Sequence, residues 1–98
     1  MRVRHADHRL ERLERDAEYR AGFGGDVTKA FRKKMQLIRD AVDERDFYCL
    51  KSLHYEKLKG WRQNQRSMRL NSQWRLILEI RSEDDGKTVV VVGIEDYH

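Results

Sequence analysis

The sequence predicts an α+β domain in which an N-terminal helical hairpin packs on a small antiparallel β-sheet. Three observations carry the prediction. Apolar residues recur at helical spacing as far as about residue 43, the period changes to two from Arg66, and a valine-rich run follows an acidic turn. The order is therefore β-αα-βββ, with the helices gathered on one sheet face.

Each element has a local reason. Residues 2–5 are expected to form a short first strand. Asp7 is a candidate N-cap for a helix over about 8–20, whose buried side is Leu10, Leu13 and Ala17, extended by Tyr19. Gly22-Phe23-Gly24-Gly25 stops it. Asp26 is expected to cap a second helix over about 27–43, with the stripe Val27, Ala30, Phe31, Met35, Ile38, Ala41 and Val42. Two helices joined by a short glycine turn form an αα-hairpin. Asp43-Glu44-Arg45-Asp46 breaks the pattern, and Phe47, Leu50 and Leu53 suggest a helical turn or a packed irregular segment.

Met68 and Leu70 then alternate with Ser67, Arg69 and Asn71. After the turn Asn71-Ser72-Gln73, the residues Trp74, Leu76, Leu78 and Ile80 alternate with Arg75, Ile77, Glu79 and Arg81. Such alternation describes antiparallel strands with one apolar face each. Ser82-Glu83-Asp84-Asp85-Gly86 reads as a turn. The valines at 89–92 are apolar on both faces, so their strand should be interior. Parity places Arg69 and Arg75 together on the face away from the helices.

Composition excludes several classes. Ninety-eight residues make a single domain, 1–98, with a small core. No apolar stretch approaches the ~20 residues of a spanning helix, so no membrane association is expected. The first residues lack the apolar region of a secretory signal. One cysteine, Cys49, precludes an internal disulfide and fits a reducing cytoplasm. Cys49 lies in Phe47-Tyr48-Cys49-Leu50 and reads as core packing.

The net charge is +4, with a pI near 9.4. Its distribution is more telling. Lys57, Lys59, Arg62, Arg66, Arg69 and Arg75 share the stretch 57–78 with no acid. Charge alone leaves two readings, a solvated face or a nucleic-acid surface.

Cutting RNA through its own 2′-OH requires a proton acceptor, a donor for the leaving 5′-oxygen, and cations for the crowded phosphorus. Histidine suits the proton steps, and arginine offers a fork for two phosphate oxygens. His5 and His8 have i,i+3 spacing but no Cys or carboxylate set to complete a metal sphere, so they read as surface histidines and no cofactor is expected. His54, just before the basic stretch, has two readings, a packing residue first and an RNA contact second. His98 is the best candidate, because a strand should anchor it, Asp96 could orient it and Tyr97 could stack on a base. Trp74 shares parity with core residues. Trp61 follows Gly60 in the basic stretch and suits an exposed contact with a base or partner.

Leu58-Lys59-Gly60-Trp61-Arg62, then Ser67-Met68-Arg69-Leu70-Asn71-Ser72-Gln73-Trp74-Arg75-Leu76, then Glu95-Asp96-Tyr97-His98, resemble the HigB branch of the RelE/ParE toxin superfamily. The resemblance implies a microbial-ribonuclease-like fold and a ribosome-dependent endoribonuclease that cuts mRNA in the decoding site. It implies Lys59, Arg75, His98 and Asp96 as catalytic residues. Tyr97, Arg69, Arg62, Asn71 and Trp61 are the candidate RNA-binding residues. It also implies a helix-turn-helix antitoxin that blocks the toxin and links it to operator DNA.

The chain departs from the pattern in three places. Some relatives carry a histidine just before the Leu-Lys-Gly motif, whereas here Tyr55-Glu56-Lys57 separates His54 from it. Trp61 replaces a residue that is often charged. The last turn is long and acidic, which would repel a nearby phosphate. Two rival readings stay open: a ParE-like toxin directed at gyrase, and a non-catalytic antitoxin- or RNA-binding module.

Overall fold

The computed structural model describes residues 1–83 and 86–96. Tyr97 and His98 lie outside the described residues, as do Asp84 and Asp85 of the acidic turn. The elements are β1 (Arg2–His5), α1 (His8–Arg15), α2 (Gly25–Asp40), α3 (Arg45–Cys49), β2 (Glu56–Lys57), β3 (Gln65–Arg69), β4 (Trp74–Glu83) and β5 (Gly86–Asp96). Single 3₁₀ turns cover Lys51–Leu53 and Gly60–Arg62.

The sheet order is β1-β5-β4-β3-β2. The β2 to β5 part is antiparallel, and β1 joins β5 in parallel. The valine strand is thus interior, as its two apolar faces require. The three-strand expectation for the C-terminal half misses β2, which has two residues and no periodicity to announce it.

One face of the sheet and the helices enclose the core. Leu13, Phe31, Met35, Ile38, Phe47, Met68, Leu76, Leu78, Val89 and Val91 are buried there. Half-buried Trp74 packs edge-on against Phe23, with centroids 5.4 Å apart. Among the described residues no helix is long and apolar enough to cross a membrane.

Both helices are shorter than their periodicity suggests. Asp7 caps α1 through a bond from Arg9 N to its carboxylate at 2.8 Å, but the helix stops at Arg15. The reason lies on α2. Arg32 donates to the carbonyls of Leu13, Asp16 and Tyr19 at 3.0, 3.1 and 2.9 Å, which holds the chain in an open turn. The connection to α2 is therefore a packed segment over 16–24 and not a short glycine turn. α2 starts at Gly25 with Gly24 as its N-cap, so Asp26 sits in the first turn and does not cap. The helix ends at Asp40, where Asp46 takes the Val42 N–H at 2.8 Å and leaves Val42 exposed.

Two other expectations change. Cys49 is exposed, because α3 buries Phe47 and turns Cys49 outward. His5 is not a surface histidine. Its side chain is buried, with Nε2 3.0 Å from Glu14 Oε1.

Candidate functional site

The face of the sheet opposite the helices carries Arg69, Arg75, Ser67, Ile77 and Glu95. The β3–β4 register sets Arg69 opposite Arg75, and the β4–β5 register sets Arg75 opposite Glu95. Period-two alternation puts these side chains on one side. The parity argument for the two arginines therefore holds.

Arg75 is buried, at 8% exposure. Its Nε donates to Ser67 Oγ at 3.0 Å and its Nη2 to the His54 carbonyl at 2.5 Å. The same Nη2 stands 3.7 Å from Glu56 Oε1. A buried guanidinium is tolerated because polar partners surround it. The result is a cation whose plane is fixed before any ligand arrives.

The segment that covers Arg75 is itself pinned. His54 adopts a left-handed conformation at φ 46°, which turns its carbonyl onto the arginine. Tyr55 donates to Glu44 at 2.7 Å, and Arg66 donates to the same carboxylate oxygen at 3.0 Å. Burial, reinforced by Glu44, pushes the Tyr55 phenol far above its ordinary value, so it stays a donor. Glu56 then pairs with Ser67 across β2–β3, on the arginine face.

Two adjoining hollows share Arg75. A polar one of about 350 Å³ is lined by His54, Glu56, Arg69, Asn71, Ser72 and Arg75. The other is lined by Leu58, Arg62, Ser67, Arg75, Ile77, Glu95 and Asp96. His54 thus joins the cleft instead of the core: its ring Nε2 lies 3.4 Å from Arg69 Nη1. Glu56 is the residue sequence reasoning missed, and His54 takes the cleft side of its two readings. The available signal for Glu56 is its position two residues before the Leu-Lys-Gly motif.

The other candidates fall around this cleft. Arg62 donates to both Glu95 oxygens at 2.9 and 2.6 Å, and to Gln65 Oε1 at 2.9 Å. Lys59 is exposed between Leu58 and Arg62, both of which line the cleft. Trp61 is 89% exposed beside them. Asp96 borders the second hollow and accepts from Gln73 Nε2 at 3.1 Å. Asn71 Oδ1 accepts from Gln73 N and Trp74 N at 2.8 and 2.7 Å, and its Nδ2 donates to Asp26 at 3.0 Å. Asn71 thus builds the β3–β4 turn at the edge of the polar hollow.

The basic stretch is not a bare patch. Arg62, Arg66 and Arg75 each pair with a carboxylate from outside 57–78, namely Glu95, Glu44 and Glu56. What the site offers is a fixed cation, a second cation in register with it, and a carboxylate across the gap. That set is suited to a phosphodiester and a proton transfer beside it.

Comparison with curated proteins gave no match. Solved structures share the fold across nearly the whole chain. A YoeB/ParE toxin from Agrobacterium tumefaciens is 16% identical with a TM-score of 0.62, covering 100% of both chains. YafQ from E. coli strain BL21(DE3) is 10% identical with a TM-score of 0.60, covering 98% of this chain and 93% of its own. A family model described as the RelE-like toxin of the type II toxin–antitoxin system HigB matches residues 3–98. The chain belongs to this HigB-like toxin family.

Proposed function

We propose that this toxin is an endoribonuclease that cleaves mRNA in the decoding site of the ribosome, using the RNA 2′-OH as nucleophile and no metal. The observation that carries the reading is the buried Arg75, held by Ser67 and His54, with Arg69 in register beside it and Glu56 3.7 Å away. A gyrase-directed or purely binding role gives no reason to fix a guanidinium in this way.

In the proposed reaction the scissile phosphate lies against Arg75, with Arg69 and Lys59 adding positive charge. Glu56 takes the 2′-OH proton as the 2′-oxygen attacks phosphorus. The P–O5′ bond breaks, and His98 protonates the departing oxygen. The products are a 2′,3′-cyclic phosphate and a 5′-hydroxyl. In this reading Asp96 assists His98 and Tyr97 contacts RNA, while Arg62, whose fork is taken by Gln65 and Glu95, positions the Gly60–Arg62 turn. The cytoplasm is where the toxin would meet ribosomes. A helix-turn-helix antitoxin would be its cognate partner and would connect it to operator DNA.

The test is induced expression without antitoxin, with mRNA 5′ ends mapped. New ends bearing 5′-hydroxyls support the reading, and intact mRNA with inhibited gyrase supercoiling overturns it. His98→Ala should lower cleavage ~10²–10⁴-fold, the usual worth of one positioned acid–base group. An unchanged rate would remove His98 from the mechanism.

A further inference from the structure

We infer that Trp61 is a stacking platform for an unpaired nucleobase on the rim of the Arg75 cleft. The inference rests on the RNA-directed reading above and adds a ligand subsite to it. Among the described residues Trp61 has the greatest exposure of the large apolar side chains, at 89%. The other three, Val42, Tyr48 and Leu50, lie around α3. An indole at the surface presents a broad flat face on which a ligand ring can stack.

The loop that presents it is built to be rigid. Gly60 has φ +69°, a conformation that disfavours side chains, and it opens the single 3₁₀ turn Gly60–Arg62. Arg62 then ties this turn to two strands at once. Three of its N–H groups reach Gln65 on β3 and Glu95 on β5, at 2.9, 2.9 and 2.6 Å. With its fork spent on these contacts, Arg62 acts as a positioning residue for the turn. Its guanidinium also lies 5.7 Å from the Trp61 ring, a cation–π contact that orients the indole.

The surroundings select the ligand. Exposed Lys57 and Lys59 precede Trp61 in the same segment, and Leu58 and Arg62 line the hollow that contains Arg75. An aromatic face among lysines, next to a phosphate-sized cation site, matches single-stranded nucleic acid: charge follows the backbone and the ring takes a base.

The test uses a Trp74→Phe protein, in which Trp61 supplies the indole signal. The probe is a short 2′-O-methyl oligonucleotide, which lacks the attacking hydroxyl and is not cut. An abasic strand of equal length and charge is the control. Expected are quenching of Trp61 emission by the base-bearing strand only, and roughly tenfold weaker binding by anisotropy for Trp61→Ala, with Trp61→Phe close to the parent. Equal responses to both strands, binding without quenching, or no binding would overturn the inference. So would a Trp61→Ala protein that loses affinity for its antitoxin and none for RNA. Failure of the cleavage reading would look different: stacking would persist in a protein that leaves mRNA intact.

Discussion

Arg69 and Arg75 face each other directly across the β3–β4 ladder. Like charges in such a pair destabilise a sheet by up to about 1 kcal/mol. The fold accommodates them unequally. Arg75 is buried among fixed acceptors, while Arg69 leans on the Asn71 carbonyl at 3.2 Å and on His54. In the proposed mechanism an anion that binds both accounts for two cations kept in register. Arg69→Gln should therefore raise stability by about 0.5 kcal/mol in urea unfolding while cutting mRNA cleavage at least roughly tenfold. A loss of stability above about 1 kcal/mol would show Arg69 to be a structural residue instead.

Arg75→Lys separates charge from shape. A lysine keeps the cation but cannot reach Ser67, His54 and Glu56 as one planar fork. Removing hydrogen bonds from a charged group at a buried site costs about 1.5–3 kcal/mol. Unfolding should show that loss, and cleavage should fall by about 10²-fold, as for other preorganised electrostatic groups. Near-parental cleavage would mean that positive charge alone suffices.

Glu56→Gln tests the proton acceptor. The amide preserves shape and cannot take the 2′-OH proton, so kcat should fall ~10²–10⁴-fold with KM little changed. Glu56 stands 3.7 Å from Arg75 and is half exposed, so stability should move by less than about 1 kcal/mol. A change confined to KM would place Glu56 in binding and leave the base unassigned.

The contrast between Arg75 and Glu56 shows what the sequence discloses. Period-two alternation over 66–80 determines which face Arg69 and Arg75 occupy, so their meeting was legible from residue types alone. Glu56 sits in a two-residue strand whose position exists only through pairing with Ser67. Its role was hinted at by the interruption Tyr55-Glu56-Lys57 before the Leu-Lys-Gly motif, and nothing more. The acid-free stretch 57–78 looked like open positive charge because the neutralising Glu44, Glu56 and Glu95 lie outside it. The end of α1 departs from its periodicity because a distant side chain, Arg32, claims the last carbonyls. Local pattern reports faces well and long-range ion pairs poorly.

Acid sensitivity should centre on Glu14. Arg39 donates to its two oxygens at 2.6 and 2.9 Å, and this pairing, helped by His5, holds the carboxyl below its ordinary value of 4.5. A carboxyl with a lowered folded pKa binds protons more readily when unfolded. Its contribution is complete above its ordinary pKa and disappears as pH falls through the lower folded value. Urea midpoints of the parent should therefore drop through that acidic window. Glu14→Gln should be less stable at neutral pH and lose less on acidification. Parallel curves for the two proteins would assign the acid response elsewhere, with the exposed Asp7–Arg9 and Asp43–Arg45 pairs as the next candidates.

Asn71 distinguishes turn building from RNA contact. Its Oδ1 accepts two backbone N–H groups and its Nδ2 reaches Asp26 on α2, so it ties the β3–β4 turn to the helical layer. Loss of a side chain that satisfies turn N–H groups costs about 1 kcal/mol or somewhat more. Asn71→Ala should be destabilised by about 1–2 kcal/mol, and Asn71→Asp by less at the turn, since it retains the acceptor. Half-buried Trp74, whose N–H is one of those donors, provides the reporter through its emission. If Asn71 also touches RNA, KM for Asn71→Ala should rise when measured far below its melting temperature, where the fraction folded is unchanged. A KM equal to the parent's under those conditions would confine Asn71 to the scaffold and leave Arg69 and Arg75 as the anion-binding groups of that hollow.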